Sequence, residues 1–141
     1  MICLDTNVVI GMLNDGASPL LPRIGKAIEA GETVAYSSIV LFELWYGAAR
    51  SARREWNASR IVEFVSGPLS ILDFDAEDAE EAGDIRAALR RTGTPIGPYD
   101  ILIAAQARRR EALLVTANVG EFARIPGLRI ENWKTATQRE D

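Results

Sequence analysis

The chain begins with a short apolar run that ends in a carboxylate. Residues 1–4 read Met-Ile-Cys-Leu, and Asp5 follows them directly. A run of this kind indicates a buried strand of an α/β sheet, and the polar pair Thr6 and Asn7 then leads into a helix-like stretch over residues 8–13. Asp5 is therefore predicted at the carboxyl end of the first strand, which is the edge where open α/β sheets bind their ligands.

Two further carboxylates lie in apolar surroundings. Glu43 lies within Ile-Val-Leu-Phe-Glu-Leu-Trp at residues 39–45, and Asp100 lies within Pro-Tyr-Asp-Ile-Leu-Ile at residues 98–103. Helical spacing places Glu43 on an apolar face, so its side chain is predicted to point inward. Because buried carboxylates repel one another and resist desolvation, three such acids suggest one shared cation.

Each acid also has a purely structural interpretation. Asp5 could cap the helix that follows it, and Glu43 could form half of a buried ion pair with an arginine. Asp100 comes two residues after Pro98, a position that suits a helix amino terminus, where the helix dipole favours an anion. Taken singly, each acid is better explained by one of these roles than by cation binding, whereas the three acids together favour a shared cation.

The chain contains no histidine, and this absence restricts the chemistry most. It excludes Ser-His-Asp and Cys-His nucleophilic schemes and removes the commonest ligand of zinc. Catalysis would have to use carboxylates, hydroxyls, arginine or a hard cation. Ligand sets made only of oxygen select magnesium, manganese or calcium.

Length and composition indicate one domain with its own core. The chain has 141 residues, of which 48% are hydrophobic. No segment has the roughly 18 consecutive apolar residues of a membrane span, and the amino terminus lacks the basic flank of a signal peptide, so no membrane association and a cytoplasmic location are expected. The single cysteine, Cys3, is expected to pack as a small hydrophobe.

The net charge of −4 argues against a simple electrostatic nucleic-acid binder, because phosphate contacts normally need a surplus of basic residues. Fourteen of the sixteen basic residues are nevertheless arginine, whose planar fork suits phosphate oxygens. Three clusters stand out, at residues 50–54, 86–91 and 108–110. They are interpreted either as solvated helix faces paired with glutamates or as a local basic rim on an acidic protein.

Along the chain, predicted strands and helices alternate. Further strands are predicted at residues 33–36, 69–72, 112–116 and 128–130, and further helices at residues 19–30, 38–50, 53–65, 75–91, 100–111 and 119–123. Ser37 or Ser38 is expected to cap the third helix. This order predicts one parallel-sheet domain over residues 1–141, with residues 134–141 as a frayed polar tail.

Several motifs, in this order and spacing, resemble those of the PIN-domain ribonucleases, and within them the VapC-type toxins of bacterial toxin–antitoxin pairs. The stretches that carry the resemblance are residues 4–7 (Leu-Asp-Thr-Asn), 42–47 (Phe-Glu-Leu-Trp-Tyr-Gly), 85–87 (Ile-Arg-Ala), 93–100 (Gly-Thr-Pro-Ile-Gly-Pro-Tyr-Asp), 114–122 (Leu-Val-Thr-Ala-Asn-Val-Gly-Glu-Phe), 126–128 (Pro-Gly-Leu) and 131–133 (Glu-Asn-Trp). The resemblance implies a three-layer α/β/α sandwich with a mainly parallel central sheet, and hydrolysis of structured RNA of the tRNA or ribosomal RNA class.

By this resemblance, Asp5 and Asp100 are the principal ligands of Mg²⁺ or Mn²⁺, and Glu43 completes the set directly or through water. Many relatives carry a fourth acid near the end of the fourth strand. Here that place holds Asn118, with Glu121 three residues on, as in the family variant Asn-x-x-Glu-Phe. Thr116 and Asn118 would position water or phosphate, and one of the acids would accept the proton of the attacking water. A plain strand end and turn is the alternative for these two residues.

The resemblance also implies a VapB-type antitoxin, which would wrap the chain with an amphipathic segment, and a homodimer. Trp45, Tyr46, Trp56 and Phe64 are candidates for these contacts, or else they fill the core of the monomer.

Two other functions stay open. A phosphotransfer or phosphatase domain would usually need an acid near residue 7, where this chain has Asn7; the second possibility is a catalytically silent PIN module that binds RNA or protein.

Overall fold

The computed structural model describes residues 1–133 and contains one five-stranded sheet. The strands are β1 (Ile2–Leu4), β2 (Val34–Ser37), β3 (Ser70–Leu72), β4 (Leu113–Val115) and β5 (Arg129–Glu131), in the order β3-β2-β1-β4-β5. All four ladders that join them are parallel. The prediction of a parallel α/β sheet is confirmed for these residues, whereas the predicted tail at residues 134–141 lies outside the described part of the chain.

Seven helices connect the strands within residues 1–133. They are α1 (Thr6–Asn14), α2 (Leu20–Glu29), α3 (Ser38–Ala49), α4 (Arg54–Val65), α5 (Ala76–Arg91), α6 (Pro98–Arg109) and α7 (Val119–Phe122). Together with the sheet they form the expected three-layer α/β/α sandwich. Within residues 1–133, the helices are too short or too polar to cross a bilayer.

The helix ends follow local chemistry. The Ser37 hydroxyl accepts a hydrogen bond of 2.9 Å from the Ile39 backbone N–H, so the expected serine cap of α3 is confirmed. The helix that carries Asp100 begins at Pro98, two residues before its predicted start. Proline is favoured at the first helical position, because its fixed φ suits the helix and its missing N–H would have no helical partner.

The apolar run at the amino terminus forms the middle strand of the sheet. All three residues of β1 are buried, and Leu4 has no exposed surface. Continuous burial of this kind is typical of a parallel strand that is covered on both faces. Cys3 packs as the small hydrophobe that was expected, and burial raises the pKa of its thiol to about 11.

The order of the strands reverses direction beside β1. The chain runs from β1 outward through β2 to β3 and then returns to the other side of β1 to form β4 and β5. The carboxyl ends of β1 and β4 therefore flank a topological switch point, which is where doubly wound sheets open a crevice for ligands. Asp5 directly follows β1, and Thr116 directly follows β4.

The buried face of α5 differs from the apolar face that the spacing of its alanines predicts. The sequence pattern predicts Ala76 and Ala79 on the buried face, but both are exposed. The residues that are buried are Asp78, Ala82, Ile85 and Leu89. The carboxylate of Asp78 therefore lies at the N-terminal end of the buried face of this helix, where Gln106 and Arg109 of α6 donate hydrogen bonds to it.

Candidate active site

Asp5 lies in the crevice as predicted, with only 4% of its surface exposed. One carboxylate oxygen accepts a hydrogen bond of 2.8 Å from the Thr6 backbone N–H, so Asp5 also caps α1. The other oxygen accepts one of 2.7 Å from the Thr116 hydroxyl. Burial raises the pKa of Asp5 above its usual value, and the two hydrogen bonds offset this only in part.

Thr116 links the ends of β1 and β4 through this hydrogen bond. Its hydroxyl oxygen accepts a hydrogen bond of 2.9 Å from the Asn118 backbone N–H, and its proton is directed to Asp5. Thr116 therefore orients the carboxylate of Asp5. That Thr116 also contacts water or phosphate stays a prediction.

Glu43 reaches the same region from α3, which begins where the neighbouring strand β2 ends. Its carboxylate is half-buried and accepts a hydrogen bond of 2.8 Å from the Thr6 hydroxyl. Thr6 therefore connects the segment that holds Asp5 to the helix that holds Glu43. The local sequence does not predict this role of Thr6, because its one signal there is its position next to Asp5.

Asp100 and Glu121 complete the acidic group. Asp100 lies in the first turn of α6, and Glu121 lies in α7, where it accepts a hydrogen bond of 2.9 Å from the Asn118 side-chain amide. Burial and then the negative charges of Asp5, Glu121 and Glu43 raise the pKa of Asp100 to about 6. Asp100 is therefore close enough to the other three carboxylates for each of them to disfavour its charge.

No basic side chain within residues 1–133 neutralises these four acids. The ion pairs of the described residues lie elsewhere, and none includes Asp5, Glu43, Asp100 or Glu121. The buried ion pair proposed as the alternative for Glu43 is therefore absent from this part of the chain. Clustered carboxylates without a counter-charge are unfavourable unless a cation joins them.

The group suits a hard divalent cation by its donor chemistry. It offers carboxylate oxygens without sulfur or imidazole nitrogen, which is the donor set that Mg²⁺ and Mn²⁺ prefer. As they are oriented in residues 1–133, however, no three acidic side chains already form a ligand set for one ion. Binding a cation at this place therefore requires carboxylates to turn toward it.

The raised pKa of Asp100 predicts how the stability of the metal-free chain depends on pH. Asp100 takes up its proton near pH 6 when folded but near its usual value of 3.8 when unfolded. The folded state therefore binds the proton more tightly, and stability rises as the pH falls from about 7 to about 5. Mg²⁺ should raise the unfolding temperature at pH 7.5 and much less at pH 5, as measured by scanning calorimetry.

A matched variant tests this prediction. Asp100→Asn cannot ionise, so the stability of the metal-free variant should depend less on pH between 5 and 7 than that of the parent chain. Equal stabilisation by Mg²⁺ at both pH values in the parent chain would contradict the assignment of the cation to this group. The pKa of Asp78, which is lowered, affects stability only at more acidic pH.

The arginine clusters take different roles. Arg108, Arg109 and Arg110 form ion pairs with acids of α5 and its cap, so this cluster follows the structural interpretation. Arg50 instead lines a cleft that also contains Glu43.

The four aromatic residues considered for partner contacts also divide. Phe64 is half-buried, and its ring lies 5.1 Å from the buried ring of Tyr36. Trp45, Tyr46 and Trp56 are between 40% and 58% exposed, so they do not fill the core of the monomer.

The chain is similar in sequence and in fold to known proteins of one family. The family model described as PIN domain matches residues 2–128. The tRNA(fMet)-specific endonuclease VapC of Salmonella typhimurium is 42% identical over 130 residues, which cover 92% of this chain and 96% of that protein. The fold superposes on a chain of DNA-bound VapBC from Salmonella typhimurium with a TM-score of 0.86 and 42% identity, covering 94% of this chain and 97% of that chain. It also superposes on a chain of VapBC2 from Rickettsia felis bound to promoter DNA, with a TM-score of 0.88 and 40% identity, covering 94% of this chain and 99% of that chain. The chain belongs to the PIN-domain family and, within it, to the VapC ribonucleases.

Proposed function

We propose that the chain is the toxin of a toxin–antitoxin pair and hydrolyses phosphodiester bonds of RNA with Mg²⁺ or Mn²⁺. The observation that carries this proposal is the group of four carboxylates at the switch point, for which residues 1–133 supply no basic partner. A polyanionic substrate would be repelled by such a group. A divalent cation bound to the acids would offset part of their negative charge and allow a phosphate oxygen to approach.

Asp5, Glu43 and Asp100 would hold the cation, which, when bound, neutralises negative charge on the phosphate and lowers the pKa of water. Thr116 and Thr6 keep Asp5 and Glu43 in place through their hydroxyl groups. We assign the proton of the attacking water to Glu121, because it is the one acid of the group that this proposal does not assign to the cation; the Asn118 amide holds its carboxylate in place. The chain itself thus supplies positioning and proton transfer.

The name of the Salmonella relative suggests the substrate class, and we propose structured RNA such as tRNA or ribosomal RNA for this chain. The VapBC complexes among the solved structures suggest a VapB-type antitoxin as partner. A groove of about 530 Å³ suits an amphipathic segment of such a partner, and its apolar lining includes Met12, Leu13, Leu21, Ile24, Phe64 and Leu69. A homodimer and a cytoplasmic location complete the proposal.

The direct test uses the full chain freed of any partner. We expect it to cleave cellular RNA with Mg²⁺ or Mn²⁺ and to lose all cleavage in a chelator. Cleavage should return when Mg²⁺ is restored in excess, because the acids remain folded in place. Unchanged cleavage in the chelator would rule out the mechanism, and no cleavage of any RNA with either metal would favour a catalytically silent PIN module.

A further inference from the structure

Two exposed aromatic side chains lie directly beside the acidic group. Phe42 immediately precedes Glu43 in α3, and Tyr99 immediately precedes Asp100 in α6. Their ring centroids are 5.4 Å apart, with the rings inclined at 65°. Phe42 is 49% exposed and Tyr99 is 47% exposed, so the pair packs against itself but is not covered by the rest of the described chain. The two helices that carry site acids thus also carry an aromatic pair.

The aromatic surface continues along α3 and ends in a positive charge. Tyr46 and Arg50 follow Phe42 at successive intervals of four residues and so lie on the same face of the helix. The Arg50 guanidinium lies 5.1 Å from the centre of the Tyr46 ring. No carboxylate within residues 1–133 pairs with Arg50, which leaves its charge available to an anion.

These side chains line one cleft together with the site. The cleft has a volume of about 490 Å³, and its walls include Thr6 and Glu43 at the acidic group and Phe42, Tyr46, Tyr99 and Arg50 beyond it. Aromatic faces next to an arginine form the combination that binds a nucleobase by stacking and the neighbouring phosphate by charge. The cleft thus extends from the positive charge of Arg50 to Glu43 of the acidic group.

From this juxtaposition we infer a nucleotide-binding subsite, in which Phe42 and Tyr99 stack on an unpaired base next to the cleaved phosphate and Arg50 binds a flanking phosphate. This inference rests on the proposed ribonuclease function and deepens it. Bases within a duplex are already stacked and paired, so their faces cannot reach protein rings. The substrate is therefore single-stranded at the cleavage position, as in a loop or bulge.

Binding of short oligoribonucleotides tests the subsite separately from cleavage. Asp5→Asn is not expected to cleave RNA, so its binding can be measured with Mg²⁺ present. Fluorescence anisotropy with this variant should detect a single strand and much weaker binding of the matching duplex. Phe42→Leu and Tyr99→Leu keep apolar volume but lose the ring, and each should weaken binding of the single strand about 5-fold or more. Phe42→Tyr retains an aromatic ring and should bind the single strand as tightly as the chain with Phe42. Arg50→Gln should weaken binding of every sequence and lower its salt dependence by about one charge.

An abasic nucleotide supplies the decisive comparison. When an abasic site is moved along the strand, one position should lower the affinity of the chain that retains Phe42. The same abasic site should not lower the affinity of Phe42→Leu any further, because both changes remove the same stacking interaction. Trp56→Leu is the matched control, since Trp56 is also exposed and contacts Arg53 and Arg60 but does not line this cleft. Trp56→Leu should bind the single strand with unchanged affinity. A loss of affinity equal to that of Phe42→Leu would overturn the subsite.

The remaining outcomes separate this inference from the proposed function. If the chain cleaves RNA with Mg²⁺ but Phe42→Leu and Tyr99→Leu bind single strands normally, the subsite is wrong and the ribonuclease assignment stands. If binding depends on the rings but no cleavage occurs, the subsite stands and the ribonuclease assignment is wrong. If the leucine variants dissociate a dimer, as measured by analytical ultracentrifugation, and no abasic position matters, the aromatic pair is a protein contact and the subsite is overturned.

Discussion

Asp5→Asn is expected to abolish RNA cleavage while leaving the folded chain at least as stable as the parent. The loss of activity follows from the central position of Asp5 among the site acids, between Thr6 and Thr116. A divalent cation contributes several kcal/mol to the stabilisation of charge in the transition state. Loss of one of the ligands that we propose for this cation should therefore lower kcat/KM for RNA by about 1,000-fold or more.

The expected stability of Asp5→Asn has a different physical origin. Burial raises the pKa of Asp5, which means that the protein environment disfavours its charge. Asparagine has nearly the same shape without the charge, and its side-chain oxygen still accepts the hydrogen bond that caps α1. Removing a charge that burial disfavours in the folded state removes its desolvation cost, and such a gain in stability is common where activity and stability compete.

Three measurements on the purified Asp5→Asn chain check this prediction. They are RNA cleavage, the unfolding temperature without metal, and growth arrest of a bacterium on expression, each compared with the parent chain. Activity and growth arrest should be lost, and the unfolding temperature should stay equal or rise. Asp15→Asn is the matched control, because Asp15 lies just beyond the other end of α1 and its carboxylate accepts, within residues 1–133, only the Ala17 N–H, at 2.9 Å. It should cleave RNA normally.

Two results would contradict the assignment of Asp5. Cleavage by Asp5→Asn at the parent rate would show that the carboxylate is not needed. A large fall in its unfolding temperature would show that Asp5 is a structural residue, so that lost cleavage would report only on folding.

The parts of the site that follow β1 and β4 could be predicted from the sequence because they depend on local patterns. The short apolar run before Asp5 indicates a buried strand, and the carboxyl ends of neighbouring parallel strands meet at one edge of the sheet. The serine cap and the alternation of strands with helices are equally local signals. This is why the sequence-based elements agree closely with the observed ones.

Contacts between distant segments could not be predicted in this way. Thr6 and Glu43 are 37 positions apart, and nothing near either residue indicates their hydrogen bond. Asp78 is an even clearer case, because it is a buried acid, as Asp5, Glu43 and Asp100 were each predicted to be, although its neighbours in sequence are polar. Its partners Arg109 and Arg110 are 31 and 32 positions away, so the local pattern cannot separate a paired carboxylate from an unpaired one.

Asp78→Asn, the same chemical change at a second buried aspartate, should therefore have the opposite effect on stability. Asp78 has no exposed surface, and its carboxylate accepts hydrogen bonds from Arg109 at 2.7 Å, Arg110 at 2.9 Å and Gln106 at 3.2 Å. Burial alone would raise the pKa of Asp78, but these hydrogen bonds and one from the Asp75 backbone N–H hold it well below its usual range. The charge is thus favoured in the folded state.

Asparagine at position 78 would leave two arginines without their shared carboxylate at the contact between α5 and α6. Removing one partner of a buried ion pair typically costs about 3–5 kcal/mol of unfolding free energy. For a chain of this size, that loss should lower the unfolding temperature by about 10 °C. Urea denaturation at pH 7, with the slope of the transition compared between the variant and the parent, measures the loss directly.

Glu77→Gln is the control for Asp78→Asn, because Glu77 also pairs with Arg109, at 2.7 Å, but its side chain is 77% exposed. An exposed pair is screened by water, so this variant should change the unfolding free energy by less than about 1 kcal/mol. The pH dependence supplies a second check. Because the folded pKa of Asp78 is lowered, its stabilisation is present above the usual aspartate range and is lost as the pH falls below about 4. The stabilities of Asp78→Asn and the parent should therefore converge in acid, and a constant difference down to pH 2 would show that Asp78 does not act through its charge.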